Sequence, residues 1–143
     1  MRTLIVVLGL VALAGCGGAT QEPPAVAEGP PPLEQAEEGN FTLYVSNQSF
    51  ERSTVDITVT IDGQAAVDRD FAVGNQHQWV EYRFELGDGE HILRAESRDG
   101  QAVLEQRFSM SGKRWAVVDY WCCSDASEPK LTLLVSAEPI AFA

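Results

Sequence analysis

Apolar and polar residues alternate with a period of two along most of the chain after residue 40. The clearest stretch runs from Thr54 to Asp62, where Val55 and Ile57 point to one side and Thr58 points to the other. Alternation of this kind is typical of a β-strand with one buried face. No window places apolar residues at helical spacing, so the pattern predicts strands throughout.

Eight segments show this pattern, and glycine-containing turns such as Asp62-Gly63 and Asp99-Gly100 separate some of them. Short strands at this spacing predict an all-β fold, a single antiparallel β-sandwich of about seven to eight strands over residues 39–143. A barrel is the main alternative. The predicted strands are 41–45, 54–62, 67–73, 80–86, 90–96, 102–110, 114–122 and 130–135.

The first fifteen residues have a different character. Met1-Arg2-Thr3 carries one positive charge, and Leu4 to Ala14 is almost wholly apolar but too short to span a bilayer as a helix. This combination is typical of a signal peptide. The Leu13-Ala14-Gly15-Cys16 sequence that ends it resembles the lipobox of bacterial lipoproteins.

That resemblance implies a lipoprotein signal peptide at 1–15, cleavage before Cys16 and lipidation of Cys16, with diacylglycerol on its sulfur and often an acyl chain such as palmitate on the new amine. Several acyl chains on one residue give stable membrane anchoring. The implied location is the bacterial cell envelope. Gly17 follows the cysteine in place of the Asp that marks inner-membrane retention in many such proteins, which favours the outer membrane.

Residues 16–38 join the lipidated cysteine to the domain. They are rich in Pro, Gly, Ala and Glu and contain almost no large apolar side chains. Such a segment buries too little surface to offset its ordering entropy, so we predict a disordered, extended tether.

The full chain carries 10 basic and 21 acidic residues and a net charge of −11. This balance argues against nucleic acid as a partner, because binding to phosphate backbones depends on Lys and Arg. It also argues against electrostatic attachment to anionic lipid. Membrane attachment is therefore expected through the lipid alone.

The segment from Arg114 to Cys122 is apolar on both faces. One interpretation is burial on both sides, under a loop or a neighbouring sheet. The other is that it presents Tyr120 or Trp121 to a partner, since these residue types are favoured interface anchors.

The fold class resembles the immunoglobulin-like and transthyretin-like sandwiches of bacterial envelope proteins, in which loops at strand ends carry recognition.

Cys122 and Cys123 follow directly and are candidate partner-binding residues with Tyr120 and Trp121. The two cysteines could be reduced structural thiols, a vicinal disulfide, partners in intermolecular disulfides or metal ligands. On a regular strand their side chains would point to opposite faces. A soft-metal site would need His77 or His91 as well. We expect His91 instead to bond a backbone group at the rim of the sandwich.

The sequence contains no nucleophile elbow, phosphate-binding glycine loop or spaced catalytic set. We therefore expect that the chain has no enzymatic activity and binds no cofactor. The predicted function is a lipid-anchored binding or adaptor module with a protein, peptide or glycan partner in the envelope. The alternative is a metal- or redox-handling lipoprotein that uses Cys122, Cys123 and a histidine.

Overall fold

The computed structural model describes residues 29–74, 78–123 and 127–142 of the chain. Cys16, the predicted signal peptide and His77 lie outside these ranges. None of the described residues forms a helix that is long and apolar enough to span a bilayer. The strands are β1 Phe41–Asn47, β2 Thr54–Ile61, β3 Gln64–Ala72, β4 Val80–Phe84, β5 Gly89–Ser97, β6 Ala102–Met110, β7 Arg114–Trp121 and β8 Lys130–Ser136.

The strands form two four-stranded sheets, one in the order β4-β1-β7-β8 and the other in the order β3-β2-β5-β6. This confirms the predicted sandwich. An immunoglobulin constant-type fold keeps its first, second and fifth strands in one sheet. Here β1 lies in a different sheet from β2 and β5, so the strand order differs from that fold.

The sequence led us to expect antiparallel pairing throughout, but one pair of neighbouring strands is parallel. β1 pairs with β4 antiparallel but with β7 parallel, with Phe41 opposite Arg114 and Asn47 opposite Tyr120. Parallel neighbours need a long crossover connection. Here the connection is the chain between β1 and β7, which forms strands β2 to β6.

The core lies between the sheets and follows the predicted alternation. Ile57 is fully buried and Val55 nearly so, while Thr58 is partly exposed, which confirms the register of β2. A one-residue slip would have exchanged these faces. The largest fully buried side chains are Tyr120, Phe41, Phe84, Leu43, Ile57, Ile61, Leu93, Met110, Val45, Val55, Val59 and Val118.

Both predicted turns are present, and each requires its glycine for a different physical reason. Asp62 and Gly63 have φ values of 51° and 79°, as a type I′ hairpin turn requires. In the β5–β6 turn the positive φ of 53° falls on Gln101. Gly100 is needed there because a Cβ would collide with the Tyr120 ring, and its carbonyl accepts a 3.0 Å hydrogen bond from the Tyr120 hydroxyl.

The last part of the predicted tether packs against the sandwich, which corrects the expected domain boundary at residue 39. Ala36 N–H donates to the Arg83 carbonyl on edge strand β4, and Leu33 N–H donates to the Ala65 carbonyl on edge strand β3. Leu33 is also packed against the core. The segment covers two otherwise open strand edges. The free energy gained from this backbone pairing outweighs the entropy lost when a segment of this composition becomes ordered.

Candidate functional site

The outer face of the β4-β1-β7-β8 sheet carries most of the aromatic side chains that are not in the core. On β7, alternation sends Ala116, Val118 and Tyr120 into the core and directs Trp115, Val117, Asp119 and Trp121 outward. The outward set is only partly buried, apart from Val117. We call this surface the aromatic face, defined by Tyr44, Trp79, Trp115, Val117, Asp119, Trp121 and Leu134.

Tyr44 on β1 and Trp79 just before β4 bring two more rings to the aromatic face. Both contact Phe142, from the segment after β8. Its ring centroid lies 4.0 Å from that of Trp79 in a stacked arrangement and 4.9 Å from that of Tyr44 in an edge-on one. All three tryptophans of the chain therefore lie on one side of the sandwich.

Asp119 is the acidic group at the centre of this face. Its Oδ1 accepts a 2.6 Å hydrogen bond from the Ser46 hydroxyl and a 3.0 Å hydrogen bond from the Trp79 indole N–H. Burial raises the pKa of the Asp119 carboxyl above its ordinary value of 3.8, although both hydrogen bonds act in the opposite direction. The carboxylate therefore fixes the orientation of the Trp79 ring and is itself partly desolvated.

Two clefts lie along the aromatic face. The first, of about 240 Å³, is lined by Tyr44 and Trp115 together with polar and charged side chains such as Arg83 and Lys113. The second, of about 290 Å³, is more apolar and is lined by Trp79, Val117, Asp119, Thr132, Leu133, Leu134, Ile140 and Phe142. Both are close to the lower limit of small-molecule sites, about 300 Å³, so each suits a side chain better than a cofactor.

The predicted partner-binding residues are divided between core and surface. Tyr120 is fully buried and bonded to Gly100, so it is a core residue and not the partner contact that the sequence suggested. Cys122 is also buried and belongs to the core. Trp121 lies on the aromatic face beside Lys130, and Cys123 is partly exposed.

Cys122 and Cys123 are joined as a vicinal disulfide. Neighbouring side chains point to opposite faces only on a regular strand, and β7 ends at Trp121, before both cysteines. Cys123 has a φ of 73°, in the left-handed region, which changes the direction of the chain directly after Cys122. Ser124, Asp125 and Ala126 of the following loop lie outside the described residues.

His91 bonds the backbone at the sandwich rim, as predicted. Its Nδ1 lies 2.6 Å from the Asp62 carboxylate and its Nε2 lies 2.8 Å from the Gly87 carbonyl oxygen. Because both partners are acceptors, only the doubly protonated ring donates to both. Burial favours the neutral ring, but these contacts outweigh it and raise the pKa of His91 above its ordinary value of 6.5.

Sequence reasoning missed Tyr44, Trp79, Asp119 and Phe142. One signal was available for Asp119, because it is the only acidic residue within the otherwise apolar stretch 115–121. Trp79 and Phe142 lie outside the strands, where alternation has no meaning. Their meeting depends on the tertiary fold.

No protein-family model matches this sequence, and no curated protein matches it. Within the described ranges, no three His, Cys, Asp or Glu side chains come together in a way that would hold a metal ion. The aromatic face is the candidate site.

Proposed function

We propose that this chain is a lipid-anchored binding module of the bacterial cell envelope and that its aromatic face contacts an envelope partner. The anchor follows from the lipobox resemblance at Leu13-Ala14-Gly15-Cys16. The observation that carries the binding role is the gathering of three tryptophans and Tyr44 on one outer sheet face. Trp and Tyr supply a large share of the binding energy at protein interfaces.

The opposite outer face provides the contrast that supports this choice. On the β3-β2-β5-β6 sheet, Thr58 bonds Asp68 and Arg94 pairs with Glu96 at 2.8 Å. Exposed apolar side chains on that surface, such as Val103 and Ile92, each lie opposite a charged residue, Glu96 and Arg107. On the aromatic face the apolar and aromatic side chains instead lie next to one another, Leu134 being 57% exposed beside Val117. Contiguous exposed apolar surface marks interaction sites.

The test of the binding role is site-specific photo-crosslinking in native envelope. A photoreactive residue at Leu134, 57% exposed on β8, is compared with one at Val103, 59% exposed on β6 of the other sheet. We expect a discrete adduct from position 134 and none from position 103. Equal adducts from both positions, or none from either, would contradict the proposal.

The test of the anchor is the intact mass of protein extracted from membranes. We expect a chain that begins at Cys16 and carries lipid, and a Cys16→Ala variant that keeps its first fifteen residues. Recovery of an unlipidated chain that was cut elsewhere would remove the lipoprotein interpretation.

A second candidate function is redox handling by Cys122 and Cys123, favoured by their pairing and the partial exposure of Cys123. The metal-binding variant through His91 has less support, because both of its ring nitrogens are engaged. Thiol titration of the native domain, before and after a mild dithiol reductant, tests the redox role. We expect no titratable thiol before reduction and two after it, without loss of the folded state.

A further inference from the structure

The segment that follows β8 folds back onto the aromatic face. Phe142 stacks on Trp79 and meets Tyr44 edge-on, while Ile140 lines the apolar cleft beside them. Ile140 and Phe142 are two positions apart, the spacing at which an extended chain directs side chains to the same side. The chain therefore seats an aliphatic and an aromatic side chain of its own on this surface.

This contact is made by side chains alone in the part of the chain that the structure describes. The backbone of residues 137–142 makes one hydrogen bond there, a local one from Glu138 N–H to the hydroxyl of Ser136 at the end of β8, and no backbone–backbone bond to the sheet. Phe142 also remains 37% exposed. A segment held by two side chains can be displaced without breaking any strand pairing.

The surface beneath the segment is held in place independently of it. Asp119 fixes the Trp79 indole through a 3.0 Å hydrogen bond, and Ser46 holds Asp119 in turn. Val117 is anchored in β7 and paired with Leu134 of β8. Preorganised rings lose little freedom on binding, which favours a competing ligand of the same chemistry.

We propose that the aromatic face binds an extended peptide segment of an envelope protein that carries an aliphatic and an aromatic side chain two positions apart. Ile140 and Phe142 occupy this site until such a segment displaces them. This rests on the proposed binding function and names the class of its partner. A peptide fits better than a glycan because the occupant in place contributes apolar side chains and no backbone–backbone hydrogen bond to the sheet.

The test uses a fluorescently labelled peptide with the sequence of residues 136–142, Ser-Ala-Glu-Pro-Ile-Ala-Phe, added to the full chain in detergent. Its binding is measured by anisotropy against the unsubstituted chain and an Ile140→Ala/Phe142→Ala variant. We expect the variant to bind at least about tenfold more tightly, because an occupied site lowers apparent affinity by the fraction that is open.

Three controls accompany this measurement. A Phe50→Ala variant removes a phenylalanine that is 60% exposed at a different site, and it should bind the probe as the unsubstituted chain does. A probe with Ala in place of its Ile and Phe should not bind. Adding Trp79→Ala to the double variant should abolish binding.

Binding of the probe to neither protein would overturn the proposal and leave the segment as ordinary packing. Equal binding to both would also overturn it, because the probe would then occupy a different site. Should the double variant unfold, the Trp79 indole N–H resonance of the unsubstituted chain must still move at saturating probe. The probe needs neither lipid nor an envelope partner, so its failure is separable from failure of the crosslinking test.

Discussion

At the scale of single residues, Asp119 determines how the aromatic face is arranged. It accepts from Ser46 and Trp79, and burial raises the pKa of its carboxyl group. A raised pKa means that the folded state binds the proton more tightly than the unfolded state does. Stability from this group is therefore present below pH 3.8 and is lost as the pH rises through the folded-state pKa.

Two substitutions at Asp119 separate its charge from its role as an acceptor. Asp119→Asn keeps an acceptor oxygen and removes the buried charge, so at pH 7 its melting temperature should equal or exceed that of the unsubstituted chain. Asp119→Ala removes the hydrogen bonds that the carboxylate accepts from Ser46 and Trp79 and should cost about 1–3 kcal/mol. Thermal melts at pH 3 and pH 7 check both. A large loss in the Asn variant would contradict this account.

His91 and Asp62 form a pair of titrating groups at the rim of the other sheet. For Asp62, burial favours the protonated form, but the Ile92 N–H and His91 outweigh it and lower the pKa of its carboxyl below 3.8. Stability from Asp62 is present above pH 3.8 and lost as the pH falls, whereas stability from His91 is present below pH 6.5 and lost as the pH rises.

The His91–Asp62 pair should therefore stabilise the domain most between pH 3.8 and pH 6.5. The Asp62 side chain is exposed, so the effect should be about 1 kcal/mol or less. Urea denaturation from pH 3 to pH 9 measures it. A His91→Asn variant should lose the decline above pH 6.5, and a decline that persists in this variant would assign the effect to another group.

At the scale of secondary-structure elements, β7 shows where sequence reasoning succeeds and where it stops. Alternation predicts correctly that Trp115 and Val117 share one face and that Val118 and Tyr120 share the other. It does not say which face enters the core, because both are apolar. That choice depends on packing against the second sheet, where Tyr120 reaches Gly100.

The segment before β1 gives a prediction of its own. A chain shortened to begin at Gly39 loses the backbone bonds of Leu33 and Ala36 and uncovers two strand edges. We expect it to be about 1–3 kcal/mol less stable than a chain that begins at Pro30, at 0.5–1.5 kcal/mol for each hydrogen bond plus the packing of Leu33. Urea denaturation of the two chains checks this. Equal stability would restore the boundary at residue 39.

At the scale of the whole molecule, the sandwich has two unlike outer surfaces. One carries the aromatic face, and the other carries a network in which Arg94 approaches both Glu96 and Glu105. The number of strands and, except on β7, their inward faces could be predicted, because they depend on local alternation. The sheet order and the meeting of Trp79 with Phe142 could not, because they depend on residues far apart in sequence.

The central position of β1 has a consequence for how the chain reaches this state. Its two neighbours are β4, which begins at Val80, and β7, which begins at Arg114, so none of its pairing is local. High contact order of this kind slows folding to milliseconds or seconds. During synthesis β1 emerges before the other described strands but gains both partners only once β7 has been made, and its open edges can pair with other chains in that interval. Stopped-flow refolding followed by tryptophan fluorescence should therefore show a slow main phase, with yield that falls as protein concentration rises.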